Sequence, residues 1–213
     1  MMENSELIDQ LNACRVVPVI SIAHAKDASR LGEVLIEGNL PVAEITFRTT
    51  AAAAAITAMK KASARLLVGA GTLLNLDDVK RAIDAGAQFG VAPGLNVKVV
   101  EGALKLGFPF CPGVMTPSDV EMGLSLGLRL LKFFPAEPAG GVPMLKSIIA
   151  PYKHTGVRFM PTGGISAEQA KEYLALPAVA AVGGSWVASS ADIESGNWDN
   201  VLQNCRTVST MDV

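Results

Sequence analysis

The sequence predicts an α/β fold in which eight parallel strands, each followed by a helix, close into a single (β/α)8 barrel domain over residues 1–213. Short apolar runs recur along the chain, and each is followed by a stretch whose apolar residues have helical spacing. Runs that are apolar on both faces are typical of parallel strands covered by helices. An open doubly wound sheet is the alternative, but no Gly-x-Gly-x-x-Gly motif follows the first run.

The individual elements follow from local patterns, beginning with a short N-terminal helix. Leu31, Val34 and Leu35 recur at helical spacing, and the alanine-rich stretch after residue 50 favours a helix because alanine has the highest helix propensity. Ser118, with Glu121 three residues later, predicts an N-cap. The predicted strands cover residues 16–20, 42–46, 66–70, 88–92, 109–111, 130–134, 157–160 and 179–183. The predicted helices cover residues 5–12, 25–38, 51–61, 76–85, 97–106, 118–127, 141–150, 167–176 and 197–208.

Composition restricts the classes of function. Half of the 213 residues are hydrophobic and 18% are charged, which argues against intrinsic disorder. The net charge of −2, without a basic block, argues against nucleic acid as a partner. Residues 1–10 do not resemble a secretory signal, and Pro177 with the segment 183–185 interrupts the longest uncharged stretch. We therefore expect no membrane partner.

The cysteines and histidines give no sign of a disulfide framework or a metal site. Cys14, Cys111 and Cys205 are odd in number and widely spaced, which suits a reducing compartment, so we expect a cytoplasmic protein. The sequence does not assign these three thiols a role. His24 and His154 lie far apart and outside any metal-ligand spacing, so no metal is expected.

Two charged residues lie inside apolar runs, Lys132 in the sixth predicted strand and Glu44 in the second. Catalytic groups in parallel barrels lie at the C-terminal ends of the strands, so both are expected on one face. A buried amine tends to lose its proton and can then attack a carbonyl, while a nearby carboxylate can transfer protons. One alternative is a purely structural ion pair between the two. Another is a lysine at a strand end that reaches solvent along its own stem.

Other candidate binding residues follow the predicted strands. The planar fork of Arg48 suits a carboxylate or phosphate, although an exposed loop arginine is equally consistent with its position. Thr72 could donate its hydroxyl to the same anion or cap the next helix. Glycine pairs at 163–164 and 183–184 follow the last two strands, where barrels commonly bind phosphate through backbone N–H groups. Either pair alone could be an ordinary tight turn.

Seven segments of the chain form an ordered set of motifs. They are Val-Val-Pro-Val-Ile (16–20), Glu-Ile-Thr-Phe-Arg-Thr (44–49), Val-Gly-Ala-Gly-Thr (68–72), Pro-Gly (93–94), Lys-Phe-Phe-Pro-Ala-Glu (132–137), Pro-Thr-Gly-Gly-Ile-Ser (161–166) and Gly-Gly-Ser-Trp (183–186). Together these segments closely resemble the 2-keto-3-deoxy-6-phosphogluconate (KDPG) aldolases, which often also act on 4-hydroxy-2-oxoglutarate. The resemblance covers almost the whole chain, although residues 96–98 have no clear match and Pro138 departs from the expected pattern.

The resemblance implies a trimeric (β/α)8 barrel that acts as a class I aldolase without a metal or organic cofactor. Such an enzyme cleaves its phosphorylated keto-deoxy acid to pyruvate and glyceraldehyde 3-phosphate. Lys132 would be the Schiff-base lysine and Glu44 the general acid and base. The other implied contacts are Arg48 and Thr72 at the pyruvate carboxylate, Thr162 and Pro93 beside the substrate chain, and Gly163, Gly164, Gly184 and Ser185 at the phosphate.

Three rival functions remain open at the level of the sequence. Within the same class, the substrate could be the C4 epimer, 2-keto-3-deoxy-6-phosphogalactonate. A phosphosugar isomerase or epimerase would use Glu44 as a base and Lys132 only as an electrostatic clamp. A catalytically idle barrel would bind a phosphorylated metabolite and keep the two charges as an ion pair.

Overall fold

The computed structural model describes residues 4–211, in which strands and helices alternate. The strands are β1 (Val16–Ile20), β2 (Val42–Thr46), β3 (Leu67–Gly71), β4 (Phe89–Val91), β5 (Phe110–Cys111), β6 (Gly113–Val114), β7 (Leu130–Phe133), β8 (Arg158–Phe159) and β9 (Val182–Gly184). The helices are α1 (Asn4–Cys14), α2 (Ala28–Glu37), α3 (Ala52–Ala62), α4 (Leu76–Asp84), α5 (Val97–Lys105), α6 (Pro117–Ser125), α7 (Gly141–Tyr152), α8 (Ala167–Leu174), α9 (Ser190–Ser195) and α10 (Trp198–Ser209). Two short 3₁₀ helices, Ala25–Asp27 and Lys153–Thr155, precede α2 and follow α7.

The strands form two parallel sheets. The larger has the order β5-β4-β3-β2-β1-β9, and the smaller has the order β6-β7-β8. Glu44 of β2 is in register with Val19 of β1 and Gly69 of β3, and Lys132 of β7 is in register with Gly113 of β6. This confirms the predicted parallel α/β fold. Closure of all strands into one barrel stays a prediction.

The fifth predicted strand differs from the structure at Pro112. The chain forms β5 before this proline and β6 after it, with β5 pairing to β4 and β6 pairing to β7. Proline has no backbone N–H to donate to a strand ladder, so regular pairing is interrupted there. Its carbonyl still accepts a hydrogen bond of 2.9 Å from the backbone N–H of Lys132.

The structure also corrects one predicted helix cap and contains one helix that was not predicted. The N-cap of α6 is Thr116 rather than Ser118, and its partner in the capping box is Asp119 rather than Glu121. Pro117 explains the shift, because its fixed φ suits the first helical position and places the cap one residue before it. Helix α9 has no counterpart in the prediction, although Ser189 caps it by accepting a hydrogen bond of 3.1 Å from the backbone N–H of Asp192.

The core lies between the sheets and the covering helices. Leu31, Val34 and Leu35 of α2 are buried as predicted, and Leu7 and Leu11 of α1 are buried as well. Burial of one face of each helix supplies most of the favourable free energy of folding. Among residues 4–211 no helix is both long and apolar enough to span a membrane.

The three cysteines are all free thiols. Cys111 and Cys205 are buried, and Cys14 is half-buried. Burial raises the pKa of the Cys14 thiol to about 11 and that of Cys205 to about 12. Thiols with such pKa values stay protonated at neutral pH, and they are therefore poor nucleophiles there.

Candidate active site

Lys132 lies in the middle of β7, with its side chain inside the protein. The residue is only 5% exposed, and all four residues of β7 are buried. Its Nζ lies 3.4 Å from Oε1 of Glu44 and 5.3 Å from the centroid of the Phe134 ring. The alternative of a lysine that reaches solvent from a strand end is therefore wrong.

Glu44, on β2, is completely buried. Gly71 at the end of β3 makes room for it, since a Cβ atom at position 71 would overlap the Glu44 carboxylate. Oε1 of Glu44 faces Lys132, whereas Oε2 makes no hydrogen bond within residues 4–211. The two charged residues that the sequence places in separate apolar runs thus meet, as predicted, and one carboxylate oxygen is left for another contact.

The buried pair lies within electrostatic reach of the Cys111 thiol. Burial raises the pKa of that thiol, the positive charge of Lys132 opposes the shift, and Glu44 adds to it. Cys111 therefore stays a neutral thiol beside the pair. A neutral thiol is a poor nucleophile, so the amine of Lys132 is the candidate nucleophile in this part of the site.

Arg48 follows β2 and is exposed, but its guanidinium is held by Thr46. Nε of Arg48 donates to Oγ1 of Thr46 at 3.2 Å, and the buried Thr46 hydroxyl donates to the carbonyl of Ile20 at 2.9 Å. The two terminal nitrogens of Arg48 make no hydrogen bond within the described range, and their geometry suits a bidentate contact with an anion. Thr46 was not among the predicted site residues, although it has the same strand parity as Glu44 and Arg48.

Thr46→Val tests this anchoring of Arg48. The loss of one hydrogen bond, worth about 1 kcal/mol, should raise the half-saturating concentration of a carboxylate ligand such as pyruvate roughly fivefold. Thr49→Val is the matched control, because its hydroxyl also bonds to a carbonyl, that of Ile22 at 2.7 Å, without touching Arg48. Equal effects of the two substitutions on pyruvate saturation would contradict an anchoring role for Thr46.

Thr72 is half-buried and immediately follows β3. Its φ angle of +60° is unusual for a β-branched residue. The capping alternative is wrong, because Asn75 caps α4 by accepting a hydrogen bond of 2.8 Å from the backbone N–H of Asp78. The hydroxyl of Thr72 is thus not used as a helix cap. Thr72 directly follows Gly71, the glycine that packs against the Glu44 carboxylate.

Pro93 and Thr162 lie beside strands that surround Lys132. The carbonyl of the half-buried Pro93 fills the space that a Cβ atom would need at Gly113, which is the register partner of Lys132. Thr162 is 6% exposed, and its backbone N–H donates to the carbonyl of Phe133 at 2.9 Å. Thr162 is thus bonded to the strand that carries Lys132, and Pro93 packs against the neighbouring strand β6.

The two predicted glycine segments are neighbours in space. An isolated parallel bridge joins Thr162 to Gly183, directly before Gly163 and Gly184. Gly163 and Gly164 have φ angles of +107° and +78°, which glycine adopts at little cost. Gly184 is buried and Ser185 is exposed.

Comparison with known proteins identifies the family. The model of the aldolase family described as KDPG and KHG aldolase matches residues 7–204. The chain belongs to this aldolase family. The resemblance inferred from the seven segments is thereby confirmed, and the protein is an enzyme of the lyase class.

Relatives of the chain match it over nearly their full length. A 2-dehydro-3-deoxy-phosphogluconate aldolase from Haemophilus influenzae is 42% identical over 203 residues, covering 95% of each chain. A KHG/KDPG aldolase from Escherichia coli is 40% identical over 191 residues, covering 90% of this chain and 89% of the relative. The structure of a KDPG aldolase from Legionella pneumophila, with pyruvate captured as a covalent carbinolamine, has a TM-score of 0.92 at 37% identity, covering 98% and 99% of the two chains.

The described residues offer little for a metal ion. Between residues 4 and 211, no group of three or more His, Cys, Asp or Glu side chains is placed to hold one.

Proposed function

We propose that this protein is a class I aldolase that cleaves KDPG to pyruvate and D-glyceraldehyde 3-phosphate, with Lys132 as the Schiff-base lysine. The observation that carries the proposal is the buried Lys132–Glu44 pair, with 3.4 Å between Nζ and Oε1, in a member of an aldolase family. We also propose cleavage of 4-hydroxy-2-oxoglutarate to pyruvate and glyoxylate, since a relative is named KHG/KDPG aldolase.

The proposed reaction begins when the neutral amine of Lys132 adds to the C2 ketone and forms a carbinolamine. Loss of water gives an iminium, which withdraws electrons from C3. Glu44 then removes the C4 hydroxyl proton, the C3–C4 bond breaks, and the aldehyde leaves as the iminium becomes an enamine. Protonation at C3 and hydrolysis release pyruvate and restore the amine. No step needs a metal or an organic cofactor.

The arrangement around the pair supports the remaining roles. We propose that Arg48 and Thr72 bind the pyruvate carboxylate. The terminal nitrogens of Arg48 make no hydrogen bond within residues 4–211, and the hydroxyl of Thr72 does not cap a helix. Arg48 follows the strand that carries Glu44, and Thr72 follows the strand paired with it. The substrate chain would pass Thr162 and Pro93, and the phosphate would lie at Gly163, Gly164, Gly184 and Ser185.

The phosphate assignment has a physical basis in the two glycine segments. Left-handed glycines leave the backbone N–H groups of a turn accessible to an anion. Ser166, two residues after Gly164, is the N-cap of α8, and the positive end of the helix dipole favours a dianion nearby. Because the bridge between Thr162 and Gly183 brings the two segments together, both can contact one phosphate.

We further propose that the strands close into one (β/α)8 barrel and that residues 1–213 form a single domain. The break at Pro112 separates two pieces of one strand, β5 and β6, which link the two sheets along the chain. Isolated parallel bridges from Phe159 to Val179 and from Thr162 to Gly183 support contact at the opposite edge. A crystal structure in which any neighbouring strand pair is splayed apart would contradict closure.

A cytoplasmic homotrimer is the proposed form of the enzyme. The trimer is inferred from the family resemblance. The cytoplasmic location is inferred from the three free thiols, which are consistent with a reducing compartment. Four large apolar side chains in the described range, Leu74, Leu106, Met115 and Met122, are exposed and available to an interface. Sedimentation equilibrium should give three times the chain mass, and a monomer at micromolar concentration would refute the trimer.

The substrate is tested by measuring kcat/KM for pyruvate release from purified KDPG and from its C4 epimer. We expect a clear preference for KDPG, with slower turnover of 4-hydroxy-2-oxoglutarate because that substrate has no phosphate for the glycine segments. A preference for the epimer would identify the phosphogalactonate aldolase instead. If the protein released pyruvate from none of the three substrates, the aldolase proposal would be overturned.

A further inference from the structure

Glu137 lies five residues after Lys132, and its carboxylate accepts hydrogen bonds from two side chains of α8. Oε1 accepts from the Tyr173 hydroxyl at 2.5 Å, and Oε2 accepts from Nε2 of Gln169 at 2.7 Å. Tyr173 is completely buried. Burial, with a further contribution from the hydrogen bond to Glu137, raises the pKa of the Tyr173 phenol, so it remains a donor at neutral and alkaline pH.

The orientation of Gln169 is fixed by its second contact. Its Oε1 accepts a hydrogen bond of 2.9 Å from the backbone N–H of Ser166, the N-cap of α8. The amide nitrogen of Gln169 is thus the atom that faces Glu137. A single side chain therefore connects the Glu137 carboxylate to the first turn of α8.

The backbone of Glu137 contacts the glycine turn from the other side. Its N–H donates to the carbonyl of Gly163 at 3.0 Å, and the preceding N–H, that of Ala136, donates to the carbonyl of Thr162 at 2.8 Å. A Cβ atom at position 164 would lie only 3.0 Å from the Cβ of Glu137, so the side chain of Glu137 packs closely against this glycine. Glu137 is thus bonded both to the turn and to the helix that follows it.

We propose that Glu137 is a positioning residue for the phosphate site. It connects the chain leaving the Lys132 strand to the segment 162–166, and it thereby sets the direction in which the N–H groups of Gly163 and Gly164 point. Within residues 4–211 the Glu137 carboxylate bonds to Gln169 and Tyr173 and not to Lys132, so its effect should be specific to phosphorylated ligands. This inference rests on the proposed phosphate role of the two glycines.

The test compares a phosphorylated ligand with a phosphate-free one. Glu137→Ala removes both bonds to α8 and should raise KM for KDPG roughly tenfold. The half-saturating concentration of pyruvate in borohydride trapping at Lys132 should change by less than about twofold, because pyruvate does not need the phosphate site. Inorganic phosphate, as a competitive inhibitor of KDPG cleavage, should lose affinity by a factor similar to the rise in KM.

Three further variants separate positioning from general destabilisation. Glu137→Gln should stay close to the wild type, because its amide oxygen can accept from Gln169 and its amide nitrogen can donate to the Tyr173 hydroxyl. Tyr173→Phe should raise KM for KDPG in the same direction by a smaller factor, and it carries the test if Glu137→Ala does not fold. Glu172→Ala, which replaces an exposed acid of the same helix, should have no effect.

Two results would overturn the positioning role. One is an equal fold-change in KM for KDPG and in the half-saturating concentration of pyruvate, in Glu137→Ala or Tyr173→Phe. The other is an unchanged KM for KDPG in both variants. Failure of the proposed function is distinguishable from these results. In that case the wild-type protein itself would neither release pyruvate from KDPG nor form a pyruvate adduct.

Discussion

Lys132→Arg should lower kcat for KDPG cleavage roughly 10⁴-fold or more, as expected when the nucleophile of a covalent mechanism is removed. Arginine keeps the positive charge beside Glu44, but its guanidinium remains protonated and cannot form an imine. Pyruvate release is followed with a coupled assay, and the same sample is examined for borohydride-stable adducts. Lys146→Arg, an exposed lysine of α7, is the matched control and should retain wild-type activity.

The same variant distinguishes the rival enzyme class. A phosphosugar isomerase or epimerase would use the charge at position 132 only as a clamp, so Lys132→Arg would keep appreciable activity. Such retention would contradict Schiff-base chemistry, whereas a folded and inactive variant would support it. Circular dichroism of the variant excludes unfolding as the cause of inactivity.

Glu44→Gln has the second-largest expected effect. Removing a general acid and base should lower kcat roughly 10²- to 10⁴-fold, because the same carboxylate serves both C–C cleavage and dehydration of the carbinolamine. KM should change far less than kcat, since Glu44 contacts Lys132 rather than the carboxylate or phosphate sites. Glu37→Gln, at the exposed end of α2, is the control for the loss of one negative charge.

Measurement of stability completes the Glu44 experiment. Breaking a buried ion pair leaves its partner uncompensated, so the free energy of unfolding in urea should fall for Glu44→Gln. A catalytically idle barrel would show this loss of stability without pyruvate release from either protein. A variant that is destabilised but retains full kcat would contradict the proposed proton-transfer role.

Much of the fold and the buried pair of Lys132 and Glu44 could be predicted, because both depend on local patterns. Apolar runs alternating with helical spacing indicate parallel strands covered by helices. A charge inside such a run must have a compensating partner, and both Lys132 and Glu44 carried that signal. Their 3.4 Å contact spans 88 positions of sequence, yet it follows from the strand assignment and from the requirement for pairing.

Other features depend on three-dimensional contacts that leave no local signal. In the sequence Thr46 is one more residue of a buried strand, whereas in the structure its hydroxyl accepts a hydrogen bond from Arg48. Gly71 has an ordinary backbone conformation, and its importance lies in the Glu44 carboxylate packed against it. Glu137 ends a recognisable motif, but its partners Gln169 and Tyr173 lie more than 30 residues away.

The local corrections arise from competition between neighbouring signals. Ser118 and Glu121 satisfy a capping pattern, but Thr116 and Asp119 do so around a proline that fits the first helical position. Pro112 likewise divides a strand whose apolar character continues on both sides. These residues shift element boundaries without moving the strands that carry Lys132 and Glu44.

The most direct test of the Schiff-base assignment is a peptide map after treatment of the protein with pyruvate and borohydride. We predict one modified peptide, which contains Lys132 and carries the mass of one reduced pyruvate. Omission of either reagent, or the change Lys132→Arg, should abolish the modification. An unmodified Lys132 in protein that turns over KDPG, or a pyruvate adduct on a different lysine, would contradict the mechanism.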